Sequence, residues 1–202
     1  MRKASLVLCA SLSVSFLALE ACSVSTIDSK AAAKAPPVIT ATSSKEDKIA
    51  SALSAGPEAV TKEAAVVEFD ETGKMTVLKQ GQNAFTCMPD MPAMAGAPSP
   101  GPMCADVNAI DFLKAMMGHT APPKDKAGFV YMLQGGNDAS NTDPFAKAPA
   151  AGAEWIKTGP HVMVLGSPDL NKAYPHDAKP DTTKPYVMFP DTPYAHVMIP
   201  VT

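Results

Sequence analysis

Two segments in the last third of the chain carry nearly the same residues: His161-Val162-Met163-Val164-Leu165 and His196-Val197-Met198-Ile199-Pro200. Imidazole and thioether are soft, neutral donors, a set that suits Cu(I). On a strand, alternate residues share a face. His161 then projects with Met163, and His196 with Met198, while Val and Ile take the other face. If the two strands are neighbours, two imidazoles and two thioethers converge, and these four residues are the candidate metal ligands. The same residues also make ordinary sheet core, in which a histidine at a strand start is satisfied by hydrogen bonds.

Two further segments carry donor atoms. Met88, Met91 and Met94 recur every third residue, and Met103 stands beside Cys104. Thioethers in such a loop can hold copper, and they also serve as adaptable gap fillers. The polar stretch Gln134 to Pro144 contains Asn137, Asp138, Ser140, Asn141 and Asp143. Its oxygens suit Ca²⁺, but EF-hand spacing and its closing Glu are lacking, and turns bonded to the local backbone explain it more simply. With Tyr194, these five residues form a candidate ligand-binding surface. For catalysis there is no Gly-x-Ser-x-Gly elbow, no His-Glu-x-x-His and no phosphate-binding glycine loop. Ser140, His161 and Asp143 can be written as a triad, but only geometry could support it. The leading expectation is a non-enzymatic ligand- or partner-binding domain. The alternatives are a copper-binding protein using the paired His-x-Met strands and a hydrolase with an unrecognised site.

The N-terminus places these residues in a compartment. Met1-Arg2-Lys3 precedes an apolar run from Ala4 to Leu19, the pattern of an export signal. The run is short and serine-rich for a membrane span, which needs about 20 apolar residues. Leu19-Glu20-Ala21-Cys22 resembles a bacterial lipobox, with Leu19 and Ala21 matching and Glu20 departing from it. That resemblance implies a leader over 1–21 and a lipid on Cys22, which would tether the protein to a membrane in the periplasm or at the outer membrane. Ordinary cleavage after Ala21 would instead release it. Cysteine parity favours the lipid: Cys9 leaves with the leader, and a modified Cys22 leaves Cys87 and Cys104 as an even pair. In an oxidising compartment that pair is expected as a disulfide rather than as metal ligands. It would close a proline-rich loop of about 18 residues and stabilise the fold by about 3 kcal/mol through lost unfolded-state entropy.

Residues 22–43 are mostly Ser, Thr, Ala, Lys and Pro and read as a flexible linker. Residues 44–202 are the size of one globular domain. Removal of Arg2, Lys3 and Glu20 with the leader takes the formal charge from −3 to −4. The lysines are scattered, which argues against nucleic acid as a partner.

Twenty prolines in 202 residues disfavour long helices. Helices are expected over Ser43–Ala55, with Ser43 and Glu46 at capping-box spacing, and over Asp106–Met117, with Val107, Ile110, Leu113 and Met116 or Met117 facing the core. Strands are expected over Ala64–Phe69 and Met75–Lys79 as a hairpin, then Asn83–Cys87, Gly128–Leu133, Glu154–Lys157, His161–Leu165, Tyr186–Phe189 and Tyr194–Val201. The fold class is α+β: a mainly antiparallel sheet with two short helices and one disulfide-closed loop.

Several segments together resemble a family of small uncharacterised exported bacterial proteins. They are Ser51 to Pro57, Thr86-Cys87-Met88-Pro89-Asp90 with Pro102-Met103-Cys104, Tyr131 to Gly135 with Ser140 to Pro144, Gly159 to Val164, and Thr192 to Met198. The resemblance runs from Ile49 to Val201 and implies no activity, ligand or catalytic residue. It does not extend to Met91 and Met94, which leaves His161, His196 and the Asn/Asp loop as the better candidates.

Overall fold

Short runs of β-branched and apolar residues, interrupted by prolines and glycines, dictate short strands rather than long helices. The computed structural model describes residues 36–70, 74–92 and 98–201. The leader, Cys22, the linker before Pro36, the turn residues Glu71 to Gly73 and Met94 lie outside the described residues.

The chain begins with helices α1 (Lys45–Leu53) and α2 (Glu58–Thr61) and strands β1 (Ala65–Phe69), β2 (Met75–Lys79), β3 (Phe85–Met88) and β4 (Met103–Asp106). Helix α3 (Val107–Met117) follows, then β5 (Gly128–Met132), β6 (Gly136–Asp138), β7 (Ile156–Thr158) and β8 (His161–Leu165). Helix α4 (Pro168–Asn171), β9 (Tyr186–Met188) and β10 (His196–Pro200) complete it. Eight strands form one sheet in the order β2-β1-β3-β4-β5-β8-β10-β9, and β6 pairs with β7 in a separate two-stranded ribbon. Only β1 and β3 run parallel within the large sheet. The α+β class, the mainly antiparallel sheet and two helices of more than one turn and a half are all present. No helix among the described residues is long and apolar enough to cross a membrane.

The two longer helices cover opposite faces of the sheet. α1 packs Ala52 against Val66, Cys87 and Cys104, with Tyr131 alongside. α3 packs Ala109, Phe112 and Leu113 against Ala105, Val130, Met163 and Leu165. Tyr131 and Val130 are adjacent on β5, so strand alternation separates the two layers. Cys87 and Cys104 lie directly opposite each other on β3 and β4 and form the disulfide.

Three local expectations shift. The cap of α1 is Ser44, whose Oγ accepts from Asp47 N at 3.0 Å, one residue later than the Ser43/Glu46 spacing suggests. Ser43 instead holds the preceding turn, accepting from Thr40 N. The buried stripe of α3 is Ala109-Phe112-Leu113, with Ile110 and Met116 half-buried, whereas Val107 and Met117 are exposed. The cap sets this rotation: Asp106 Oδ1 accepts from Ala109 N at 2.8 Å, and Oδ2 accepts from Phe129 N at 3.1 Å, which ties α3 to β5. Gly128 permits the resulting approach, since a Cβ there would lie 2.4 Å from Ala109 N. Finally, the proline-rich segment from Cys87 ends in strand β4, not in loop.

Candidate functional site

The near-identical segments are neighbouring antiparallel strands. β8 and β10 pair with Met163 opposite Met198, Val164 opposite Val197 and His161 opposite Pro200. The flanking strands add donors on the same face: Met132 of β5 lies opposite His161, and Met188 of β9 lies opposite His196. Three rows result. The first carries Met132 and His161, the middle one Met163 and Met198, and the last His196 and Met188. Val162, Val164, Val197 and Ile199 take the opposite face.

α3 and Asp138 of β6 lie over these rows and border a chamber of about 100 Å³. Both histidines, both His-x-Met methionines, Met103, Met116, Met132 and Met188 line it. Half of the chain's twelve methionines therefore face one cavity. Met103, Met116 and Asp138 form a partly exposed rim, whereas His161 and His196 are buried at 1% and 4% exposure.

The histidines are held alike. His161 Nδ1 is 2.7 Å from Gly159 O, and His196 Nδ1 is 2.9 Å from Tyr194 O. A carbonyl only accepts, so each Nδ1 carries the proton and each Nε2 presents a lone pair. Neither Nε2 has a hydrogen-bond partner among the described residues, although both are buried. A ligating imidazole has this arrangement: one nitrogen fixed by the backbone, the other free to donate. Burial lowers the basicity of His161 below its usual 6.5 despite the Gly159 carbonyl. His196 is pushed down to about 4, first by burial, against the Tyr194 carbonyl, and further by nearby His161. Both rings are thus neutral near pH 7. Asp138, entering from β6, is pushed up to about 6 by burial. Tyr186 is pushed up to about 12 by burial, with its hydroxyl on Thr158 opposing the rise and Asp138 adding to it.

The surroundings fix the rings. Phe112 and Phe189 meet His196 edge-on at centroid distances of 6.3 and 5.6 Å. Phe189 takes a left-handed backbone with φ 55°, a conformation costing on the order of 1 kcal/mol in a non-glycine residue. Its N–H donates to Asn141 O at 2.7 Å. Gly136 lies against the other end: a Cβ there would be 3.0 Å from Met132 Cε and 3.6 Å from His161 Cε1.

The remaining candidates are dispersed. Asn141 is fully buried and donates to Asp177 O and Val187 O, clamping its loop to β9. Ser140 accepts from Thr142 N and Asp143 N, and Asp143 accepts from Phe145 N, so both serve turns. Asn137 donates to Ser99 O and borders a separate, more open groove of about 490 Å³. Tyr194 is buried with its hydroxyl on Thr120 O. Of the loop, only Asp138 reaches the chamber. Met91 is exposed.

The sequence pointed to His161, Met163, His196 and Met198. It named Met103 only with the methionine-bearing loop, and it did not single out Met116, Met132 or Met188. Met132 and Met188 lie in expected strands, yet their place beside a histidine depends on register with non-consecutive strands. No group of three or more His, Cys, Asp or Glu side chains able to hold a metal occurs among the described residues. The chamber's donors are imidazoles and thioethers instead. No family model, no curated protein and no solved structure matches the chain.

Proposed function

We propose that this is an extracytoplasmic, non-enzymatic binding protein, tethered by lipid at Cys22, whose ligand is Cu(I) held in the His/Met chamber. The observation that carries the reading is the pair of buried, unpartnered Nε2 atoms of two histidines that line a methionine-rich chamber, each ring fixed through Nδ1 by a backbone carbonyl. Unpaired buried polar atoms are costly and call for an explanation; coordination to metal would satisfy each of them. Neutral nitrogen and thioether donors select a soft monovalent ion over Ca²⁺, Mg²⁺ or Zn²⁺. A single positive charge is also cheaper to bury than two, and Asp138 supplies a carboxylate at the rim. Export and a lipid tether would place such a protein where copper must be held before use or removal. A hydrolytic reading lacks its first requirement: the Ser140 hydroxyl is engaged with Thr142, and no nucleophile meets either Nε2 among the described residues.

The test is anaerobic competition for Cu(I) between the purified protein and a chromogenic chelator, beside a His161→Ala/His196→Ala variant. The protein should withdraw copper from the chelator, and the variant should bind more than about 100-fold more weakly, beyond the loss typical of an outer-shell change. If the protein withdraws no metal at micromolar concentration, the copper reading is wrong.

A further inference from the structure

We infer that the chamber takes two Cu(I) ions, one at each end, each bound by one imidazole and two thioethers. This rests on the copper reading above and concerns how that site is divided.

The register sets the two histidines at opposite ends of the paired strands. His161 lies opposite Pro200, and His196 lies one step beyond the Val164–Val197 pair, with Met163 and Met198 between them. Four residues separate the row of His161 from the row of His196, about 13 Å between their backbones along the strands. Each ring is also anchored outward, because its Nδ1 binds the carbonyl two residues earlier in its own strand direction, Gly159 or Tyr194. The strands are antiparallel, so these anchors pull towards opposite ends. A metal–nitrogen bond is about 2 Å, and one ion shared by both rings would require them to meet over the middle row.

Each imidazole instead has its own sulfurs. His161 has Met132 across on β5 and Met163 two residues along its strand. His196 has Met188 across on β9 and Met198 two residues along. The arrangement repeats about a local two-fold axis through the Met163–Met198 pair. Three soft donors around each ion form a complete trigonal set for Cu(I). The ends differ in their second layer: aromatic edges surround His196, whereas β6, which carries Asp138, abuts His161.

The experiment is a Cu(I) titration of the purified protein with chelator readout, joined to X-ray absorption of the copper-loaded form. Met132→Leu and Met188→Leu each remove sulfur from one end while conserving volume. The protein should saturate at two equivalents, with one nitrogen and two sulfurs around each copper. Each variant should keep one tight equivalent and weaken the other by at least tenfold. Saturation at a single equivalent, with two nitrogens per copper and complete loss in either His161→Ala or His196→Ala, would overturn the two-ion division while leaving copper binding intact. Absence of any uptake by the unmodified protein would overturn both readings.

Discussion

At the residue scale, Asp138 is the group whose ionisation the fold opposes. Burial raises its carboxyl to about 6 from 3.8, so the folded state holds its proton more tightly than the unfolded state. The stability it contributes is fully present below pH 3.8 and is lost as pH rises through 6. Asp138→Asn should therefore stabilise the protein above pH 6 by on the order of 1–2 kcal/mol, a figure discounted for the residue's partial exposure, and do nothing below about pH 4. Urea midpoints across that range check it, and a gain independent of pH would show that the carboxylate is not strained. The histidines run the other way. Their basicity is lowered, so their contribution is present above 6.5 and declines on acidification, for His196 until about pH 4. The sequence displayed Asp138 only as one of several loop oxygens, because nothing local says that Asn137 turns to Ser99 while its neighbour turns inward.

At the element scale, the roof of the chamber depends on one side chain. Asp106 caps α3 through Oδ1 and holds the start of β5 through Oδ2. Asp106→Ala should cost about 2 kcal/mol, the upper range for an N-cap, because the Phe129 amide loses its acceptor as well. Urea denaturation measures this; a loss below a few tenths of a kcal/mol would mean that Gly128 packing alone seats the helix. The helix itself was legible in its amphipathic spacing, but its rotation was not. The stripe through Val107 and the stripe through Ala109 are both apolar, and the cap decides between them. Strands β8, β9 and β10 were legible because alternation and proline punctuation agree there. Strand β4 was hidden, since Met103 to Asp106 gains its strand character from β3 and β5 on either side. The short β6 was hidden for a similar reason: Gly136-Asn137-Asp138 has turn composition and pairs only because β7 lies alongside.

At the scale of the whole molecule, the sheet divides the chemistry. The disulfide belongs to the face covered by α1, and the chamber belongs to the face covered by α3. Cys87→Ser/Cys104→Ser should lower stability by about 3 kcal/mol and leave the copper stoichiometry unchanged. Denaturation and Cu(I) titration of that variant check both, and lost stoichiometry would make the cysteines part of the metal site. The order of strands has a consequence for how the molecule is made. β10 follows every other described element in the chain, yet it lies between β8 and β9. A polypeptide emerging from its N-terminus presents this wedge last. Until then β9 has no strand beside it and β8 shows an open edge. The second imidazole arrives with the piece that joins them, so a partly emerged chain offers only the half of the cavity around His161. On the two-ion proposal, the second site would form only in a single late step, when the final strand slides home.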